Sequence, residues 1–244
     1  MKILKYKKYG KNRYKVILED NEEIVLYEDI ILKYNLLLTK EIDNIDDILN
    51  DNNKYELYDK VLSYINKRIR CESEIRSYLK KYTSDSNIMN NIVDKLYKNK
   101  LINDSLYIKS YIHDKINFTN DGPIKIKNDL LKLGFDNYNI EDNLVEFNDK
   151  LQKEKIDNYI SKYLKSNNKS LYSFKQKMLL NLISLGYEKE LIVSRLNKVY
   201  FNDNESLEKD KEKIRKKYSK KYSGYELDNI IKRKLYEKGY RDFD

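Results

Sequence analysis

The chain has 244 residues, 36% of them charged, and a formal net charge of +9. Its single cysteine excludes an intramolecular disulfide, and its single histidine excludes a histidine-rich metal site. One proline and six glycines are too few for the many turns of a β-rich fold, so the composition favours long helices joined by short polar turns.

No apolar run approaches the roughly 20 residues that a membrane span requires, and charges interrupt the N-terminus too early for a signal peptide. We therefore expect a soluble, cytoplasmic protein with no membrane partner. The net positive charge favours an acidic partner such as nucleic acid. A biased genome base composition is the alternative source of the lysines, since only eight of the 49 basic residues are arginine.

The first 40 residues alternate apolar with charged side chains and are interrupted at residues 10–12 and 19–21. This pattern predicts two or three short antiparallel strands. The segment YEDIILKYNLLL that follows predicts a short helix. After it, the acidic, asparagine-rich TKEIDNIDDILNDNNKYE predicts a connector that leads into the helical part.

From residue 55 the apolar residues recur at the spacing of an α-helix, and one short sequence pattern is repeated. Four leucines are separated by 51, 52 and 53 residues: Leu79, Leu130, Leu182 and Leu235. Four residues after each leucine the chain has Thr83, Gly134, Gly186 and Gly239 in turn. Glycine suits the left-handed residue that ends a helix, and the step between copies holds about three helices of ordinary length.

The predicted fold is therefore mainly α, with tandem three-helix repeats that form an elongated curved rod behind a small N-terminal antiparallel β unit. The predicted units are residues 1–50 for the β unit with its helix and linker, 55–102, 103–148 and 153–200 for three repeats, and 201–244 for a partial fourth repeat with two helices. Tyr107 and Tyr111 are expected to lie in the core. Pro123 is expected to begin a helix, capped by Asp121 or Gly122.

Two linked motifs in the helical part resemble those of the RecX family. The first is an acidic helix start, an aromatic-rich helix, Gly-Pro and a basic helix that ends in Leu-x-x-x-Gly. It is matched by Asp104, Tyr107, Tyr111, Gly122, Pro123, Ile126, Leu130 and Gly134. The second is Arg-x-Arg-Ser ahead of an acidic helix start and a leucine, matched by Arg68, Arg70, Glu72, Glu74 and Leu79.

Cys71 departs from the second motif, because it stands where the family usually has a capping serine. We expect the cap of this helix to be weaker or to come from Ser73. The resemblance covers roughly residues 55–200, and the β-rich N-terminus with the partial fourth repeat is similar to longer family members from low-GC Gram-positive bacteria.

The resemblance implies a regulator of RecA recombinase. Such a regulator binds the RecA filament on single-stranded DNA and restrains strand exchange, ATPase and co-protease activity in DNA repair and the SOS response. We expect a monomer with the RecA filament as its partner and single-stranded DNA as a further candidate partner. The alternative function is an independent lysine-rich helical-repeat protein that binds nucleic acid.

The candidate partner-binding residues are all basic. They are Arg68, Arg70, Arg76, Lys109, Lys125, Lys127, Lys175, Lys177, Arg215, Lys216, Lys217, Lys220 and Lys221. The last five are interleaved with tyrosines, which suits phosphate contacts with base stacking or, alternatively, a solvated helix face. The first two arginines could pair with a partner carboxylate or cap a helix within the protein.

Catalysis has little support in the sequence. His113 has no neighbouring nucleophile in its pattern, and Cys71 is expected to be a buried substitute for serine. We therefore predict no enzymatic activity, no cofactor and no metal site.

Overall fold

A computed structural model of the chain describes residues 1–241 and shows a mainly helical protein that begins with a small antiparallel sheet, as the sequence predicts. The chain divides into two compact units, the first ending at Tyr107 and the second beginning at Ile108. Across the described residues, no helix is both long and apolar enough to cross a bilayer.

The sheet has three strands in the order β1-β2-β3, with β1 at Ile3–Lys8, β2 at Arg13–Leu18 and β3 at Glu23–Tyr27. Alternation along the strands sends one set of side chains inward. Val16 and Leu18 are fully buried, as the apolar half of that alternation requires. The prediction of short antiparallel strands is confirmed.

The segment that follows the sheet forms two short helices, α1 at Glu28–Lys33 and α2 at Leu36–Thr39, where the sequence predicts one. The next helix, α3, spans Ile45–Ile65, so the prediction of a connector up to residue 56 is wrong. Asn44 caps α3, because its side chain accepts hydrogen bonds from the N–H groups of Asp46 and Asp47.

The rest of the first unit is a helical cluster formed by α3, α4 at Glu72–Leu79 and α5 at Ser86–Lys98. Its core consists of apolar side chains from all three helices, among them Val61, Ile75, Leu79, Val93 and Leu96. Truncating a fully buried leucine in such a core costs about 2 to 5 kcal/mol, so these contacts hold the three helices together.

The second unit consists of helices that follow one another through short turns. They are α6 at Asp104–Phe118, which begins within the first unit, α7 at Pro123–Lys132, α8 at Asn137–Leu144, α9 at Asp149–Leu164, α10 at Leu171–Ser184, α11 at Lys189–Leu196, α12 at Asn204–Tyr218 and α13 at Gly224–Glu237. The repeat boundaries at residues 55, 103, 153 and 201 stay a prediction.

Three second-unit helices end in the same way, as predicted from the glycine pattern. Gly134, Gly186 and Gly239 have φ angles of 94°, 87° and 91°. The N–H of the aromatic residue after each glycine donates to the carbonyl of the leucine five residues earlier, at 3.2 to 3.3 Å. This hydrogen bond satisfies a helix-terminal carbonyl that would otherwise lack a partner.

The Gly-Pro pair places the start of α7 against the end of α10. The N–H of Gly122 donates to the Leu185 carbonyl at 2.6 Å, and the N–H of Ile124 donates to the Gly186 carbonyl at 3.1 Å. Pro123, between them, has no N–H that would need a partner. Unsatisfied donors of one helix therefore meet unsatisfied acceptors of another, with their dipoles in favourable alignment.

A similar contact joins the start of α10 to the end of α13. The hydroxyls of Ser170 and Ser173 donate to the Lys238 carbonyl at 2.9 and 2.6 Å. Serine side chains here take the role that backbone N–H groups play at α7.

Candidate partner-binding surface

Arg68 and Arg70 lie just before α4 and share one carboxylate. Glu74 Oε1 accepts from Arg68 at 2.5 Å and from Arg70 at 3.3 Å. Glu74 Oε2 accepts from the Cys71 N–H at 3.2 Å. Glu74 thus supplies the reciprocal half of a capping box, where the sequence analysis expected a weaker cap or Ser73.

Burial raises the pKa of Glu74, but the Cys71 N–H and the two guanidinium groups more than offset this, so its pKa lies below the usual value. Arg70 is largely buried, and its guanidinium carbon lies 3.9 Å from the centre of the Tyr64 ring. Arg68, by contrast, keeps 54% of its side chain exposed. Of this pair, Arg68 is the residue that a partner can reach.

Arg76 holds helices together within the first unit. Its Nε donates to Glu72 at 2.6 Å on α4, and one terminal nitrogen donates to the Asn90 side chain at 2.8 Å on α5. Its charge is therefore already matched inside the protein.

Lys125 takes part in an ion-pair cluster at the start of α7. The buried Asp121 carboxylate accepts from Lys125 at 2.6 Å and from Lys115 at 2.7 Å. Burial raises the pKa of Asp121, but the two ammonium groups outweigh burial and bring it below the usual value. Asp121 therefore does not cap α7, which begins at Pro123 with Gly122 as its N-cap residue.

Sequence reasoning missed Lys155, which lies on α9 and reaches the C-terminus of α6. Its ammonium donates to the Ile116 carbonyl and, at 2.9 Å, to the Thr119 carbonyl. Burial lowers the pKa of Lys155. A lysine at a helix C-terminus is a known type of cap, but here it comes from 36 residues away, so local sequence carries no signal of it.

Lys127 and Lys109 differ in their surroundings. Lys127, on α7, pairs with Glu141 on α8 at 2.6 Å. Lys109, on α6, is exposed. Nearby on α6, Tyr107 is buried and Tyr111 is half-buried, with its hydroxyl 3.5 Å from Asp129.

Lys175 and Lys177 both lie on α10. Lys175 is half-buried and lines a cleft of about 420 Å³, together with Tyr172 and Arg241. Arg241 lies 4.3 Å above the Tyr172 ring, so this wall of the cleft is aromatic and cationic. Lys177 is exposed, with its ammonium 6.0 Å from the Tyr163 ring.

The five basic residues near the end of α12 form what we call the α12 basic cluster: Arg215, Lys216, Lys217, Lys220 and Lys221. All five are exposed, and Arg215 lies 3.7 Å from Asp228. The four lysines have no carboxylate within 4.0 Å among residues 1–241. The rings of Tyr218 and Tyr222 lie beside them, with centroids 6.4 Å apart.

The ion pairs thus divide the predicted residues into two classes. Arg68, Arg70, Arg76, Lys125 and Lys127 pair with acidic groups of the protein itself, and of these only Arg68 keeps more than half of its side chain exposed. Among residues 1–241 the lysines of the α12 basic cluster have no carboxylate partner, so their charges are available to phosphates or carboxylates of a partner protein or nucleic acid.

His113 and Cys71 show no catalytic arrangement among the described residues. His113 is exposed, with Nδ1 3.6 Å from Glu146, and Cys71 is a buried free thiol. Within residues 1–241 no three His, Cys, Asp or Glu side chains are placed to hold a metal ion.

The chain is similar to curated regulatory proteins over its whole length. It is 32% identical over 255 residues to a regulatory protein RecX of Streptococcus thermophilus, which covers 100% of this chain and 96% of the relative. It is 27% identical over 249 residues to a regulatory protein RecX of Halalkalibacterium halodurans, covering 97% of this chain and 94% of the relative. No protein-family model matches the chain.

A solved structure supports the same fold. The crystal structure of a regulatory protein RecX superimposes with a TM-score of 0.67 at 24% identity. The match covers 81% of this chain and 99% of the solved chain.

Proposed function

Because this chain belongs to the regulatory protein RecX family, we propose that it binds the RecA filament on single-stranded DNA and limits RecA activity. The observation that carries the proposal is the 32% identity to a regulatory protein RecX along the whole chain. RecA regulation is the activity that the sequence resemblance implies for the two linked motifs around Arg68 and Pro123.

The proposed regulator acts by binding, as a monomer in the cytoplasm, without a catalytic centre or cofactor of its own. Each predicted three-helix repeat would contribute a modest contact with the filament, and linked modest contacts give high avidity. The exposed Arg68 and the α12 basic cluster are the basic groups most available for such contacts.

The test is a RecA activity assay with the full-length chain. RecA, single-stranded DNA and ATP are mixed with the chain at increasing ratios, and ATP turnover and strand exchange are measured. We expect both rates to fall at stoichiometric amounts. Unchanged rates at a stoichiometric ratio would refute the proposal.

A matched pair of variants makes this test specific. Arg68→Ala removes an exposed arginine, whereas Lys153→Ala removes a half-exposed lysine outside the predicted set. We expect Arg68→Ala to require more protein for half-maximal inhibition and Lys153→Ala to behave as the unmodified chain does.

The α12 basic cluster favours a second candidate function, independent binding of nucleic acid. Four lysines that have no carboxylate partner within residues 1–241, beside two tyrosines, suit a phosphate backbone with bases stacked on the rings. This function predicts tight binding of single-stranded DNA without RecA and an affinity that falls steeply with salt. Weak binding with a flat salt dependence would count against it.

A further inference from the structure

Each predicted repeat forms a group of consecutive helices, and the second helices of three of these groups, α4, α7 and α13, can be compared position by position. The leucines near the helix ends, Leu79, Leu130 and Leu235, fix the register of α4, α7 and α13. Three residues before these leucines the chain has Arg76, Lys127 and Lys232. A basic side chain thus occupies the same helical position in all three.

In two of these groups the basic side chain holds the helix that follows. Arg76 donates to Asn90 on α5 at 2.8 Å, and Lys127 pairs with Glu141 on α8 at 2.6 Å. The group of α9 to α11 uses another link, because Arg195 on α11 pairs with Asp157 on α9. In each of these three groups a polar side-chain contact therefore joins the third helix, α5, α8 or α11, to an earlier helix of the same group.

Lys232 has no such partner in the described chain. No helix follows α13 up to Arg241, and no carboxylate lies within 4.0 Å of the Lys232 ammonium among residues 1–241. Lys232 instead borders an open cleft of about 350 Å³ between α12 and α13, which is also lined by the buried side chains of Ile231 and Leu235.

The cleft is lined by three basic side chains, by the carboxylate of Asp228 and by one large exposed aromatic side chain. Lys211 and Arg215 face it from α12, and their carboxylate contacts, with Glu208 and Asp228, are both long at 3.7 Å. Exposed ion pairs of this kind contribute little, so these cations remain available to a partner. Tyr225, 84% exposed, lies in the wall of the same cleft.

We propose that this cleft receives an acidic amphipathic helix of a partner protein. A carboxylate of that helix would pair with Lys232, just as Glu141 pairs with Lys127. The occupant would place its apolar face against the exposed ring of Tyr225, as a helix in a groove does. At the corresponding position of α7, Lys127 binds a carboxylate that is carried by a helix, which favours a helix over nucleic acid as the occupant. This docking site does not require the proposed RecA interaction, although Arg215 belongs both to the cleft and to the α12 basic cluster.

The chain itself supplies a suitable probe. Residues 136–148, DNYNIEDNLVEFN, contain α8 with Glu141 and four acidic side chains in total. A fluorescein-labelled, hydrocarbon-stapled peptide of this sequence is titrated with the full-length chain and followed by anisotropy. We expect saturable binding that Lys232→Glu weakens about tenfold. The peptide carrying Glu141→Lys should bind the Lys232→Glu chain better than the unmodified peptide does.

The control variant is Lys213→Glu, which makes the same charge change on α12 at an exposed residue that does not line the cleft. It should change the affinity by less than about twofold at physiological salt. The proposal is overturned if the stapled peptide does not bind saturably, or if Lys213→Glu weakens binding as much as Lys232→Glu. Nucleic acid would be the occupant, and the proposal overturned, if oligothymidylate displaces the peptide and Lys232→Glu weakens oligothymidylate binding as much as peptide binding. A second copy of the chain would be the occupant, with the same consequence, if Lys232→Glu abolishes self-association of the chain.

Discussion

Gly122 and Gly186 are in direct backbone contact. A Cβ atom built on Gly122 would lie 2.5 Å from the Gly186 carbonyl oxygen, well inside van der Waals contact. The Gly122 φ angle is −88°, which any residue adopts. The glycine is therefore required by the approach of two helices, because its own backbone conformation would accept a side chain.

This contact predicts that Gly122→Ala destabilises the protein by about 3 kcal/mol, since a methyl group would push α7 away from α10 and stretch two hydrogen bonds. Gly134→Ala is the comparison. Its φ of 94° is strained for alanine, but no atom lies within 4 Å of the added methyl, so the cost should be about 1 kcal/mol. Urea unfolding measures both, and an equal or reversed order would contradict the packing argument.

Glu74 predicts a second stability effect. Glu74→Gln removes the charge that Arg68 and the largely buried Arg70 share, and it weakens the cap on the Cys71 N–H. We expect a loss of about 2 kcal/mol in the free energy of unfolding. Glu56→Gln breaks only the half-exposed pair with Lys60 and should cost less than about 0.5 kcal/mol. Similar losses for both variants would show that Glu74 has no special role.

Features set by neighbouring residues could be predicted from the sequence. The left-handed glycines that end α7, α10 and α13 are one example, because a cap depends on a few consecutive residues. The start of α3 was missed, although Asn44 followed by Asp46, Asp47 and Ile48 has the composition of a capped helix start. The abundance of asparagine and aspartate made that segment resemble a loop.

Features set by distant residues could not be predicted. The sequence indicates that Pro123 begins a helix, but the partner of Gly122 lies more than 60 residues further along the chain. Likewise, Lys127 and Lys216 look alike in sequence, and only the fold shows that one faces Glu141 and the other faces solvent. Which basic residues are available to a partner is therefore a tertiary property.

Asp121 predicts a pH dependence. Its folded-state pKa lies below that of an ordinary aspartate, because Lys115 and Lys125 outweigh the effect of burial. The ionised carboxylate therefore stabilises the fold above the unfolded-state pKa of about 3.9, and this stability is lost as the pH falls through the folded-state value.

The variant that isolates this contribution is Asp121→Asn. Its melting temperature should lie below that of the unmodified chain by a constant amount between about pH 7 and pH 5, and the gap should shrink below about pH 4. Asp149→Asn, at a residue with 80% of its side chain exposed, should leave the melting temperature unchanged. A gap for Asp121→Asn that stays constant down to pH 3 would contradict the assigned ion pairs.

The α12 basic cluster predicts the salt dependence of DNA binding. Each lysine that contacts a phosphate of single-stranded DNA adds about 0.7 to the slope of log affinity against log salt. Replacing Lys216, Lys217, Lys220 and Lys221 with glutamine should therefore lower the slope by up to about 3 units, measured by anisotropy with labelled oligothymidylate. The control replaces four lysines already paired with carboxylates: Lys15, Lys60, Lys153 and Lys209. Both variants lose the same charge, so equal slopes would mean that net charge, and not the cluster, attracts the DNA.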